Sequence, residues 1–225
     1  MNWTMVGRLI GKDWYLNRAA ILASLIASLA VLGVVAAMHD SQIALILGII
    51  VLVTILIGMG ALVMMSPIAE RRQQTLPFVM SLPISYREYT TAKILGSLLI
   101  FLMPWTAIVG AMLGTILLAP GFPHGLIPFV VIMSVEILMS TCLITVVAVT
   151  TESQGWTVGI TQVGALSLNG IGWWIVRFPD IGGTMKDATV RWSSTATVFL
   201  AAEFAAIALM IAITFFIQSR KNDFI

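Results

Sequence analysis

Two acidic residues stand inside long apolar segments, where a carboxyl group could carry chemistry. Glu136 lies near the middle of one segment, and Glu203 lies about a third of the way along another. A carboxylate at membrane depth is costly, so it must face a cavity, a partner or the interior of a helix bundle. Each glutamate is therefore interpreted either as a polar contact in a substrate path or as a protonated or hydrogen-bonded packing residue. For Glu203, which is closer to the outer interface, the packing role is favoured.

Three further polar side chains, Gln162, Ser167 and Asn169, lie within the apolar segment 155–176. The same two interpretations apply to them. Together they form a polar stripe along one predicted helix, which favours lining a path.

The usual catalytic groupings are absent from the sequence. His39 and His124 stand alone in separate turns, and no spacing suits a metal ion. The single cysteine, Cys142, lies in an apolar run and cannot form an intrachain disulfide. Residues 7–13 resemble a phosphate-binding loop, but the spacing is one residue short and Asp13 replaces the hydroxyl residue that would hold magnesium. The chain is predicted to be no enzyme and to have no nucleotide or metal site of its own.

The composition places these residues in a membrane protein. Hydrophobic residues make up 59% of the 225 positions and charged residues only 10%, whereas soluble domains carry about 25% charged residues. Apolar runs recur, each long enough to cross a hydrocarbon core about 30 Å thick. We predict a single all-α transmembrane domain with six spanning helices, at residues 19–38, 43–65, 94–118, 126–149, 155–176 and 195–217.

Charge and aromatic residues predict the orientation. Residues 1–18 mix tryptophan, tyrosine and basic residues at near-helical spacing, which predicts an amphipathic helix in the membrane interface. With six spans, both termini share one side with the loop 66–93. That side holds nine of the twelve lysines and arginines, so the positive-inside rule makes it cytoplasmic.

The longest polar interruption before the C-terminal third is the stretch 66–93, SPIAERRQQTLPFVMSLPISYREYTTAK. Ser66 is a suitable N-cap, and Pro67 suits the first helical position. A short helix over residues 68–75 is predicted to end before Pro77, because proline disfavours helical backbone in the preceding residue. We interpret the stretch as a docking element at the membrane face.

These features resemble the ABC-2 type transporter permeases, and among them the short permeases of bacterial peptide, bacteriocin and antibiotic export or immunity systems. The resemblance rests on the sequence KDW at Lys12, Asp13 and Trp14, on six spans and on the second cytoplasmic loop. The loop residues that match are Glu70, Arg71, Arg72, Thr75, Leu76, Leu82, Pro83, Ser85, Arg87 and Lys93. The chain departs from the family pattern at Gln74 and Pro77.

The resemblance implies a permease subunit of a bacterial plasma-membrane exporter for an amphipathic or hydrophobic substrate. It implies a coupling helix in the loop, docked on a dimer of cytoplasmic ATPase subunits that bind ATP and magnesium. It also implies a second permease copy or paralogue, contact with membrane lipids and no nucleic acid. The residues expected to transmit the motion of the ATPase subunits to the membrane are Glu70, Arg71, Arg72, Thr75 and Leu76, supported by Asp13 and Trp14. Those expected along the substrate path are Glu136, Gln162, Asn169 and Glu203.

Two other functions stay open at this point. The chain could be an ion-coupled secondary transporter or channel that uses Glu136 and Glu203, or an assembly or sensor component that transports nothing. No internal repeat is visible, which weighs against transporters built from inverted repeats. Two GxxxG pairs, Gly110 with Gly114 and Gly155 with Gly159, are interpreted as ordinary helix packing.

Overall fold

The computed structural model describes residues 3–38, 48, 51–60, 86–118, 122–151 and 153–219. Within these ranges the regular elements are all helical, as the sequence predicts. They are α1 (Trp3–Ala37), α2 (Val51–Gly60), α3 (Tyr86–Leu118), a 3-10 turn (His124–Leu126), α4 (Ile127–Thr151), α5 (Gln154–Val176), α6 (Pro179–Gly182) and α7 (Ser194–Ser219).

Four of the described helices are long and apolar enough to cross a membrane: α1, α3, α4 with its preceding 3-10 turn, and α7. The chain is therefore a multi-pass membrane protein. Only part of the predicted second span is described, as the ten residues of α2. The segment predicted as the fifth span is helical, as α5, but it is not among the four helices that meet both the length and the hydropathy needed to cross a membrane.

Two helices begin earlier than the apolar segments that predicted them. Helix α1 runs without interruption from Trp3, so the predicted interfacial helix and first span form one helix. No helix-stop signal separates them, because Arg18 is followed directly by two alanines. Thirty-five residues make a helix about 50 Å long, so its first turns extend beyond a hydrocarbon core of about 30 Å. Helix α3 likewise begins at Tyr86, eight positions before the predicted start.

Helices that follow one another in the chain run in opposite directions. Ile21 of α1 shares a core cluster with Ile100 of α3, and Leu32 shares the next with Ile108, so α1 and α3 run parallel. Helix α2 runs against both, since Met59 belongs to the first cluster and Leu52 to the second.

The C-terminal helices continue the alternation. Gly164 and Gly172 of α5 lie beside Ser140 and Met133 of α4, so these two helices are antiparallel. Helix α4 is the central element, since it packs against α3, α5 and α7.

Aromatic side chains connect α5 to α7 beside the loop between them. Trp174, Phe178 and Phe199 meet edge to face with ring centroids 5.2 to 5.6 Å apart. The predicted polar loop 177–194 also contains the single helical turn α6, which the proline at its first position favours.

Gly125 brings the 3-10 turn close to the loop between α5 and α7. Its N–H donates a 2.9 Å hydrogen bond to the Asp187 carbonyl oxygen, and a Cβ at this position would overlap the Thr184 carbonyl oxygen. Because the obstacle is backbone, we expect Gly125→Ala to lower the free energy of unfolding by about 1–3 kcal/mol. The apparent melting temperature in detergent measures this effect. Gly110→Ala is the control, since a Cβ there meets nothing within 4 Å, and an equal loss in both variants would contradict the prediction.

Candidate functional site

A buried ion pair joins α1 to the start of α3. Lys93 Nζ lies 2.8 Å from Asp13 Oδ2, and the two side chains are 1% and 4% exposed. Charge-assisted hydrogen bonds of this length are among the stronger contacts in proteins. The pair therefore fixes the N-terminal helix to the helix in which the docking stretch ends.

Apolar side chains surround the ion pair and exclude water. Val6 and Leu9 of α1 pack with Tyr89 and Ala92 of α3 in one buried cluster, and the Tyr89 ring centroid lies 5.8 Å from Lys93 Nζ. One turn further along α3, Gly96 brings the two helices close together, since a Cβ there would lie 3.3 Å from Ile10. Helix α1 and the first turns of α3 are thus packed as one body.

The predicted coupling residues divide between described and undescribed parts of the chain. Asp13 is buried in the ion pair, whereas Trp14 beside it is exposed. The other predicted coupling residues, Glu70, Arg71, Arg72, Thr75 and Leu76, lie outside the described residues.

Sequence reasoning missed the role of Lys93, which it took as a positive charge that ends the loop. The sequence does contain a signal for the partner of Lys93, which is Asp13. Val6, Leu9 and Asp13 follow one another at helical spacing, so the acid lies on the apolar stripe of α1. An acidic residue on such a stripe needs a buried cation, but the sequence does not say which of the twelve basic residues supplies it.

The second site lies where α4 packs along α7. Glu136 of α4 is 1% exposed and Glu203 of α7 is 6% exposed. Ser167 Oγ of α5 lies 3.5 Å from Glu136 Oε1, and the same hydroxyl makes a shorter 2.9 Å hydrogen bond to the Gly164 carbonyl oxygen. Within the described chain, Glu203 Oε2 is buried without a hydrogen-bond partner.

The polar residues predicted to form one stripe on α5 lie on two different faces of the helix. Ser167 faces Glu136, whereas Gln162 and Asn169 are exposed on the other side of the helix. At 100° per residue, Ser167 lies roughly 140° around the helix from Gln162. Of the four residues predicted along a substrate path, the structure therefore brings together Glu136 and Glu203 and leaves Gln162 and Asn169 apart from them.

A cavity of about 190 Å³ lies between α1, α2, α3 and α4 in the half of the bundle away from the ion pair. Its lining side chains are apolar except for Thr115 and Ser134. Both hydroxyls donate to carbonyl oxygens of their own helices, at 2.9 and 2.6 Å. The lining thus offers no free hydroxyl donor, and the cavity suits a hydrocarbon group.

Among the described residues, no three His, Cys, Asp or Glu side chains converge in a way that could hold a metal ion. The ion pair, the carboxyl pair and the apolar cavity are thus the features from which a function can be argued. No protein-family model, curated protein or solved structure matches this chain, so its function has to be inferred from its own residues.

Proposed function

We propose that this chain is the membrane-spanning permease subunit of an ATP-binding cassette exporter. It moves an amphipathic or hydrophobic substrate, such as a peptide, an antibiotic or a lipid, out of the cytoplasm by alternating access. A separate ATPase dimer binds ATP and magnesium and docks on the stretch 66–93. A second permease copy or a paralogue completes the path.

The observation that carries the proposal is the buried ion pair between Asp13 and Lys93. Lys93 is the last residue of the docking stretch and lies in α3. A push on that stretch therefore reaches α3 directly, and through the 2.8 Å contact with Asp13 it reaches α1 as well. A partner that binds only the loop can in this way move two helices as one body.

The alternating helix directions support six spans with both termini in the cytoplasm. Parallel α1 and α3 require a return crossing between them, which α2 supplies in part. The three basic residues assigned to the outer side, Arg177, Lys186 and Arg191, all lie between α5 and α7. This arrangement fits a bacterial plasma membrane and the positive-inside rule.

The substrate class follows from the scarcity of charge within the bundle. The cavity between α1 and α4 accepts hydrocarbon, and buried hydroxyls such as that of Thr141 donate to their own helix backbone. A path with these walls favours an apolar or amphipathic substrate over an ionic one.

Co-purification tests the proposal. Protein solubilised in mild detergent should bring down a nucleotide-binding subunit in stoichiometric amount, with ATPase activity. We expect the triple change Arg71→Ala, Arg72→Ala, Leu76→Ala to abolish this association. The control is Arg177→Ala with Arg191→Ala, which removes two exposed charges from the other side. A chain that purifies as a stable oligomer without any ATPase would contradict the proposal.

A second candidate function is ion-coupled transport, favoured by one observation. The structure buries the carboxyl groups of Glu136 and Glu203 in two helices that pack along each other, which is an arrangement suited to binding a proton or cation at membrane depth. Transport that is driven by an ion gradient in the absence of ATP would decide for this candidate.

A further inference from the structure

The apolar cavity in the half of the bundle away from the ion pair is large enough to be a binding site. Its volume is about 190 Å³. In another protein, an engineered cavity of about 150 Å³ lined by leucine, isoleucine and phenylalanine stays dry and binds benzene. The present cavity can therefore hold an apolar group larger than benzene.

The walls of the cavity favour hydrocarbon over water. Leu32, Leu56 and Ile137 line it and are themselves buried. Its two hydroxyl groups, on Thr115 and Ser134, already donate to backbone carbonyl oxygens. A water molecule in a protein interior needs several polar partners, and this lining supplies few of them. The cavity is therefore suited to an apolar occupant.

The cavity is not sealed by the described residues. It is partly open, and the lining side chains of Met112, Phe129 and Met133 are themselves partly exposed. These residues belong to α3 and α4, which are both long and apolar enough to cross a membrane. Next to the lining residues of α3, Leu117 and Leu118 are 52% and 87% exposed. The surroundings of the opening thus suit contact with lipid hydrocarbon.

We propose that this cavity binds the end of one hydrocarbon chain of a membrane phospholipid, from the leaflet on that side of the bundle. Side chains around a void lose their dispersion contacts, and a flexible hydrocarbon chain restores them without needing any hydrogen bond. Phospholipid chains are also the most concentrated apolar groups at this depth. The headgroup stays outside, since the cavity offers it no charged partner.

The bound chain fills space between the two ends of the described sequence. Leu32 of α1 and Val130 of α4 both line the cavity, although α1 packs mainly along α3 and makes little direct contact with α4. The phospholipid therefore stabilises the contact between these helices. The site goes beyond the proposed function, because its occupant is neither the transported molecule nor the ATPase and stays bound whichever transport mechanism applies.

Retention of phospholipid during purification tests the proposal. A sterol-based detergent has no flexible alkyl chain to replace the lipid, and native mass spectrometry identifies what remains bound. We expect one phospholipid on each copy of the parent chain. Val53→Phe with Val130→Phe fills the cavity from two helices and should reduce retention at least fivefold. Val163→Phe with Val198→Phe makes the same changes at exposed sites and should retain the lipid.

Adding phospholipid back measures the stabilisation. A ligand that binds only the folded state raises the melting temperature, and at 100 times its Kd the rise is about 5 °C or more for a chain of this size. We expect this rise for the stripped parent protein and the exposed-site control. The variant with the filled cavity should gain less than a third of it. An equal rise in all three proteins would overturn the proposal.

Trp105 allows a test that does not depend on the folding of the filled variant. Its Nε1 donates a 2.8 Å hydrogen bond to the carbonyl oxygen of Ser134, which lines the cavity. A retained phospholipid with a brominated chain end should quench by at least half the fluorescence that is lost on Trp105→Phe. The absence of this quenching would overturn the proposal. A parent protein that retains no phospholipid, or retains a molecule of another class, would also overturn it.

Discussion

Replacing Lys93 by methionine is expected to lower the free energy of unfolding by about 3–5 kcal/mol, and with it to abolish transport. The change leaves the Asp13 carboxylate in a site that is only 4% exposed, without the ammonium group 2.8 Å away. Breaking a buried ion pair from one side costs this much because an uncompensated charge remains inside. The melting temperature and yield of folded protein in detergent measure the loss.

A double replacement shows whether the loss of stability comes from the broken ion pair or from the loss of the Lys93 side chain itself. Asp13→Leu combined with Lys93→Met removes both charges and fills the site with apolar atoms, so stability should return to near that of the parent. Lys12→Met is the control, since Lys12 is 40% exposed and lies 3.8 Å from the same carboxylate. An exposed pair of this kind contributes less than about 1 kcal/mol. If Lys12→Met and Lys93→Met lower the melting temperature equally, the buried ion pair between α1 and α3 does not stabilise the fold as predicted.

The second large effect is a gain in stability, expected when Glu203 is replaced. Glu203→Leu should raise the free energy of unfolding by about 1–3 kcal/mol, because it removes a buried carboxyl oxygen that lacks a hydrogen-bond partner in the described chain. A higher melting temperature with unchanged ATP-driven transport is the expected result for a permease subunit.

The same variant separates the two candidate functions. If the carboxyl pair binds a coupling ion, Glu203→Leu still gains stability but loses transport by at least about 100-fold, which corresponds to roughly 2.7 kcal/mol. Glu136→Gln, which keeps the shape of the side chain and its contact with Ser167, should then show the same loss. Transport that survives both changes would exclude the ion-coupled function.

Helix positions could be predicted from sequence wherever an apolar run was long. The predicted fifth span, residues 155–176, differs from α5 by a single residue at its start. Helix starts were less predictable, because polar residues such as Glu88 and Lys93 continue a helix as readily as apolar ones once packing stabilises it.

Contacts between helices could not be predicted in the same way. Asp13 and Lys93 are 80 positions apart, and no local pattern relates them. The division of Gln162 and Ser167 between two faces could have been predicted, since it follows from helical geometry alone. Which face would be exposed required the packing of α5 on α4, and that depends on Gly164 beside Ser140.

The distance in sequence between Asp13 and Lys93 also has a consequence for biosynthesis. Ribosomes add about 5–20 residues per second, so Asp13 is made about 4–16 s before Lys93. During this interval the Asp13 carboxylate cannot form its ion pair, because Lys93 does not yet exist. The first turns of α1 are therefore expected to be fixed in place only after α3 has been made and inserted.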